Sequence, residues 1–248
     1  MFTGGVLLFG AAVLMIAGGV VMLYRSQNDL IYQANFPEGS RVKVFRPDAY
    51  AMRFEDVELT TSDGVKVTGY LILRPTDDEA KKAPTLVYFH ANAGNMGHRM
   101  PVARILYESY NVNIFMLSYR GYGLSEGSPS EDGIRLDADA ALRFLQSHAV
   151  VGKQPLVAYG QSIGGAVAID CAQRHPGAFA GLMLENTFRS LPLLMQHLMP
   201  MLAPVSFLCH QKWESQTKLK IAAALPMLFL SGGQDTLVPV QHMQYLYN

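Results

Sequence analysis

The chain has 248 residues, half of them apolar, and its 20 basic and 20 acidic side chains cancel. That length supports one α/β domain with a sizeable core, and the charge balance implies neither a basic surface for nucleic acid nor an acidic tail. The two cysteines, Cys171 and Cys209, make no zinc pattern and no disulfide framework, and they read as ordinary buried thiols.

No charged side chain occurs in residues 2–24. About 20 apolar residues suffice to cross a bilayer as a helix, so 1–24 is expected to be a single-pass membrane anchor. A cleaved leader would carry a basic start and a shorter apolar core. Basic residues Arg25, Arg41, Lys43 and Arg46 follow the segment and none precedes it, which leans weakly toward a cytoplasmic body. Residues 25–53, mixed in polar, aromatic and proline side chains, are expected to be a connector to a domain over 54–248.

That domain opens with "FEDVELTTSDGVKVTGYLILRP". Alternation at Val57 and Leu59, a turn at Ser62-Asp63-Gly64, and renewed alternation from Val65 predict a β-hairpin. The pattern then changes to short continuous apolar runs at 85–90, 112–119, 155–160, 181–186 and 226–232. Such runs suit strands buried on both faces of a parallel sheet. Helical patterns lie between them. "PVARILYESY" is one, and "SIGGAVAIDCAQRH", stopped by Pro176-Gly177, is another. A third, "SEDGIRLDADAALRFLQSH" over 130–148, puts Ile134, Ala138, Ala141, Leu142 and Leu145 on one stripe, with Ser128 and Glu131 spaced as a capping box. An α/β sheet covered by helices on both faces follows. Residues 189–225, with Met195, Met199, Met201 and Trp213, interrupt the alternation and read as a small cap, whose methionines suit simple helix packing better than a specific lipid slot and suggest no more than an adaptable apolar lining.

The stretch "VAYGQSIGGAVAI" holds Ser162 in a G-x-S-x-G spacing between an apolar strand and an apolar helix. A serine in so tight a turn needs small neighbours, which Gly160, Gly164 and Gly165 supply. Its hydroxyl would then project from the top of the sheet above a helix N-terminus, as a nucleophile does. The bland alternative is a glycine-rich helix start with an incidental serine. Acyl transfer also needs backbone N–H donors for an oxyanion. The expected pair is Ile163, directly after the serine, and Asn92 in "FHANAGN", the loop after the first parallel strand. His90 is expected to organise that loop rather than act as the base. Asp235 in "SGGQDTLVP" lies past the last apolar run, where a carboxylate can hold an imidazole in the required tautomer. Its alternative role is to cap the helix that begins near Pro239. Glu185 is a less favoured acid. These motifs call for no metal and no cofactor.

Taken in order, "YFHANAGNMGHR", "SYRGYGLSEGSPSE", "GQSIGGAVAI", "LENTF" and "SGGQDTLVP" resemble the α/β-hydrolase superfamily. Within it they are similar to the membrane-anchored serine hydrolases of the α/β-hydrolase domain-containing protein 13 and fungal bud-emergence type. The resemblance runs from about residue 20 to the end. It implies an α/β-hydrolase fold, a Ser-Asp-His triad with Ser162 and Asp235 in the first two places, and a single-pass anchor. The substrate it implies is an undefined small-molecule or lipid acyl ester or thioester. It also favours a lumenal body, against the charge argument, leaving endomembrane and plasma membrane both open.

The histidine does not carry over. In the expected order of Ser, Asp, then His, His242 is the one histidine after Asp235, and it falls on a predicted helix as a packing residue. The chain is therefore expected to be C-terminally incomplete, ending before the last strand, with the base beyond Asn248. The rival reading is a noncatalytic, membrane-anchored binding protein on a hydrolase fold. A dinucleotide-binding module is disfavoured, because no G-x-G-x-x-G follows a strand.

Overall fold

The computed structural model describes residues 14, 15, 17–222 and 224–248. Most of the segment expected to be an anchor, residues 1–13 and 16, lies outside these. Among the described residues no helix is long and apolar enough to cross a membrane.

Seven strands form one sheet: β1 Phe54–Thr60, β2 Lys66–Ile72, β3 Thr85–Phe89, β4 Asn113–Ser118, β5 Leu156–Gln161, β6 Gly181–Glu185 and β7 Met227–Leu230. Their order is β1-β2-β4-β3-β5-β6-β7. The β1–β2 hairpin and the β2–β4 pair are antiparallel, and all pairs from β4 to β7 are parallel. Helices described from residue 26 onward are α1 Gln27–Ile31, α2 Asp77–Ala80, α3 Met100–Ser109, α4 Glu131–Ser147, α5 Ile163–Arg174, α6 Leu191–Leu198, α7 Ser215–Ile221 and α8 Val240–Tyr247.

The chain leaves β3 toward β4 on one side and later returns to β5 on the other. The carboxyl ends of β3 and β5 therefore flank the point where strand order reverses, the place where open α/β sheets bind ligands. One face of the sheet packs Tyr88, Met116 and Tyr159 against Met100, Ala103 and Tyr107 of α3. The other packs Phe89, Leu117, Ala158 and Leu184 against α4 and α5. β3 and β4 are buried at every position, as their continuous apolar runs require. β7 departs from that expectation. It is the edge strand, and Leu228 and Leu230 remain 48% and 38% exposed.

Two local expectations are corrected. Helix α4 is capped by Ser130, which accepts from the Gly133 amide at 3.1 Å, not by Ser128. Glu131 does not reach back to close a capping box. It is buried and accepts from the Trp213 amide at 3.0 Å and from the Lys212 amide, so it holds the returning end of the cap. Residues 25–53, expected as a connector, dock on the body. The Gln27 side chain donates to Leu208 O at 3.0 Å and accepts from the His210 amide at 2.9 Å. Tyr32 donates to Gln211 at 2.7 Å and accepts from the Trp213 indole at 3.0 Å.

A buried ion pair fixes the loop after β4. Arg120 Nε meets Asp137 Oδ1 at 2.8 Å, the Arg120 amide donates to Asp137 Oδ2 at 2.8 Å, and Asp63 takes the outer guanidinium nitrogen at 2.7 Å. Gly133 makes room, since a Cβ there would stand 2.5 Å from Arg120 Cδ. Removing one partner strands the other charge in the interior. Asp137→Ala is expected to lower unfolding free energy by about 3–5 kcal/mol, read from denaturant midpoints. A loss below about 1 kcal/mol would mean that the loop is held by other contacts.

Candidate active site

β5 ends at Gln161 and α5 starts at Ile163, so Ser162 alone makes the turn. Its backbone takes φ +54°, ψ −119°, a region that L side chains rarely occupy. Such a residue costs about 1–3 kcal/mol and is held here by three hydrogen bonds. The Ser162 amide donates to Glu185 O at 2.8 Å, and its carbonyl accepts from Thr187 Oγ1 at 2.7 Å and the Gly165 amide at 2.9 Å. At about 0.5–1.5 kcal/mol each, these offset the strain. The flanking glycines are steric necessities. A Cβ at Gly160 would lie 2.2 Å from Gly164 O, and one at Gly164 would lie 2.0 Å from Phe89 O.

Ser162, Ile163 and Asn92 line one cavity of ≈ 230 Å³. The amide of Ile163 opens the twelve-residue helix α5 and has no intrahelical acceptor. Neither it nor the Asn92 amide has a hydrogen-bond acceptor among the described residues. Both residues line the cavity with Ser162, and the positive end of the α5 dipole favours negative charge at the helix start.

The Asn92 side chain does something the sequence reading missed. Its Nδ2 donates to Ile31 O at 2.5 Å, while Oδ1 accepts from the Gln33 amide at 3.0 Å and from Tyr122 Oη at 2.6 Å. It clamps the N-terminal segment and the Tyr119–Gly123 loop to the loop after β3. No local periodicity announces these ties, because their partners lie 61, 59 and 30 residues away. The available signal was Ile31-Tyr32, an apolar pair in a segment otherwise rich in polar residues.

His90 is fully buried. Its Nδ1 lies 2.7 Å from Ala91 O, so that nitrogen carries the proton, and its ring stacks on Tyr119 with centroids 4.2 Å apart. Tyr119 donates to His90 O at 3.0 Å. Burial pushes the His90 pKa down to about 3, which suits a neutral organiser of the loop. Among the described residues none of the seven histidines lines the cavity with Ser162. His242 is buried, its Nδ1 accepts from the Arg189 amide at 3.3 Å, and burial lowers its pKa. His98 accepts from the Asn95 amide at 3.1 Å, and His148 and His175 pair with Glu55 and Asp139.

Asp235 is half-buried on the same carboxyl edge of the sheet, beyond β7 and therefore two strands from β5. It is not among the residues lining the cavity. Its Oδ1 accepts from the amides of Leu237 and Val238 at 2.8 and 2.9 Å, which is the turn-capping role ahead of α8. Asn186 ties this loop to β6, its amide donating to Leu230 O and its Oδ1 accepting from the Gly232 amide at 2.7 Å. Glu185 is engaged elsewhere, by Tyr159 Oη and by Gln161 Nε2 at 2.8 Å.

One group away from this site has metal-ligand composition: Asp139, Cys171 and His175, with ligand atoms within 4.8 Å of one another. Arg174 already pairs with that Asp139 carboxylate, and burial pushes the Cys171 thiol up to about 12. A nearby guanidinium and a protonated thiol do not suit a cation.

A family model described as serine aminopeptidase, S33 (Hydrolase_4) matches residues 80–223. Protein bem46 of Schizosaccharomyces pombe is 45% identical over 237 residues, covering 95% of this chain and 78% of that protein. An uncharacterized membrane protein of Saccharomyces cerevisiae is 36% identical over 248 residues, covering 100% and 83%. The α/β hydrolase domain-containing protein WAV2 of Arabidopsis thaliana is 35% identical, covering 94% and 78%. Among solved structures, an α/β hydrolase from Vibrio vulnificus superposes with a TM-score of 0.73 at 19% identity, covering 91% of this chain and 80% of that one. An esterase from Pyrococcus furiosus superposes with a TM-score of 0.66 at 22% identity, covering 83% and 79%. The last two speak for the fold alone.

The depressed His90 pKa sets a pH dependence. Below about pH 6.5 the unfolded chain binds a proton at His90 that the native ring refuses until about pH 3. Stability from this group is therefore complete above the unfolded value and lost as pH falls, by about 2 kcal/mol between pH 7 and 5. His90→Phe, which keeps a ring against Tyr119, is expected to remove that much of the pH dependence in urea unfolding. Parallel slopes for both proteins would contradict a buried neutral imidazole.

Proposed function

Because the chain belongs to the Hydrolase_4 family of α/β-hydrolases, we propose that it is a membrane-anchored serine hydrolase cleaving an ester or thioester through an acyl-enzyme on Ser162. The observation that carries the reading is that Ser162, at a strained strand-to-helix turn, lines one cavity with Ile163, which opens α5, and with Asn92. Ser162 Oγ bonds to the acyl carbon as its proton passes to a base. The carbonyl oxygen, now negative, accepts from the Ile163 and Asn92 amides. The alkoxide or thiolate then departs with the proton, and water repeats the attack to free the acid and Ser162. In this reading Asp235 orients the base. The base is a histidine in this reading, and His242 does not suit that role, since its Nδ1 accepts from the Arg189 amide at 3.3 Å.

The family description names an aminopeptidase. A free α-ammonium group would call for a carboxylate in the pocket, and among the described residues no charged side chain lines it. That favours an uncharged acyl group over a peptide N-terminus. The anchor assignment to 1–24 is supported by the absence of charge from residues 2–24.

Two tests apply, both on protein made from the entire reading frame. Ser162→Ala is expected to abolish fluorophosphonate labelling and lower ester hydrolysis by about 10⁶-fold, and Asp235→Asn by about 10⁴-fold. Persistent labelling of Ser162→Ala would sink the assignment. Separately, the protein is expected to partition into the detergent phase and to lose that behaviour when residues 1–24 are deleted. Retention on membranes after the deletion would place the anchor elsewhere.

A further inference from the structure

We infer that the cavity beside Ser162 is a site for one unbranched acyl chain, and that residues 20–33 form one of its walls rather than serving only as a tether. The inference rests on Ser162 being the reacting residue.

The cavity lies between two elements that the sequence reading kept apart. Val20, Leu23, Leu30 and Ile31 of the N-terminal segment line one side, and Leu194, Leu198, Met199 and Leu202 of the cap line another. Among the described residues its polar lining is confined to uncharged groups, including Gln27, Gln33, Asn92 and Ser162. No group there could neutralise a phosphate or an ammonium, so a charged headgroup stays outside and the alkyl chain goes in. Burying apolar chain against such a lining is the favourable term. A cavity of 150 Å³ holds the six carbons of benzene. At ≈ 230 Å³, this one takes a chain on the order of 8–10 carbons.

The wall is built in, not loosely apposed. Gln27 bonds the backbone at Leu208 and His210, and the ring of Tyr24 packs on that of His210 with centroids 5.0 Å apart. At its other end the segment is held by Asn92, through Ile31 O and the Gln33 amide. Asn92, the residue proposed to offer its backbone N–H to the carbonyl oxygen, thus also fixes the acyl wall by its side chain.

The test uses the protein from the entire reading frame, and two variants at partly exposed wall positions, Leu30→Arg on the segment and Met199→Arg on the cap. Leu30 is 52% and Met199 47% exposed, so neither substitution strips the core. Displacement of cis-parinaric acid by decanoate but not by acetate is expected for the parent. Affinity for the chain is expected to fall at least tenfold in both variants. In turnover, p-nitrophenyl decanoate is expected to exceed the acetate in kcat/KM by about 100-fold or more, since each buried methylene contributes about fourfold. Vesicles of didecanoylphosphatidylcholine, run in parallel, distinguish a bilayer lipid from a soluble ester as the source of the chain, and cleavage of either supports the acyl site. Equal use of acetate and decanoate, with Ser162 still labelled, overturns the acyl site and leaves the hydrolase reading standing. Loss of labelling with decanoate binding intact has the opposite meaning: the acyl site stands and the hydrolase reading falls. Decanoate affinity unchanged in Leu30→Arg, but lost in Met199→Arg, overturns the N-terminal segment as a wall.

Discussion

The β5–α5 turn lies close against the end of β3. With hydrogen in place of a side chain at Gly164, the helix start lies against the Phe89 carbonyl; a single methyl group there would stand 2.0 Å from that oxygen. Everything at the site inherits its position from this contact. It sets Ser162 in a left-handed backbone conformation, brings the first amide of α5 to the sheet edge, and places the β3 loop beside it. Close packing of this kind cannot relax by small amounts, so the turn either forms whole or not at all. Three hydrogen bonds to the Ser162 backbone, from Glu185 of β6, Thr187 just after it and Gly165 of α5, are sufficient to hold the strain of one residue.

Around that turn, loops are fastened by buried polar groups rather than by apolar contact. His90, Tyr119 and Tyr122 stack on one another and bond backbone carbonyl or amide oxygens. Arg120 and Asp137 fix the far end of the same loop. Glu131 receives the returning chain of the cap at Lys212 and Trp213. Each of these groups is costly to bury alone and stabilising only when satisfied. They therefore act as registry devices: a loop displaced by a few ångströms leaves a buried donor or acceptor unpaired.

Much of this was legible from the residues. The inner strands could be read because β3 and β4 are buried at every position and so show unbroken apolar runs. The elbow could be read because sterics demand glycine on both sides of Ser162. The stripe of α4 was legible for the ordinary reason of helical period, although its cap lay two residues later than expected, because Glu131 is recruited by the cap instead of by its own helix. What could not be read were contacts with no local signature. Gln27, Tyr32 and Asn92 reach partners from 30 to 183 residues away, and polar side chains in a loop look the same whether they face water or a distant carbonyl. Asp235 shows a different limit. The sequence places it on the correct edge of the sheet, but a carboxylate that caps a turn and one that orients an imidazole have the same local pattern, and Oδ1 here serves the turn.

The double use of Asn92 has a mechanical consequence. Its amide nitrogen and its side chain share one Cα, and the side chain makes three bonds, to Ile31, Gln33 and Tyr122. Opening the cavity by swinging the N-terminal segment breaks two of these bonds, at about 0.5–1.5 kcal/mol each, and releases the loop that carries the donor amide. Closing the segment over an acyl chain restores both. With Asn92 as the proposed oxyanion donor, the wall and the donor would form together, so that a chain long enough to fill the cavity would stabilise the arrangement proposed to receive the charge on the carbonyl oxygen. A short ester gains no such closure from its acyl part. Remote apolar binding would then appear in the rate of the chemical step as well as in affinity, as expected when contact far from the reacting bond orders the groups around it.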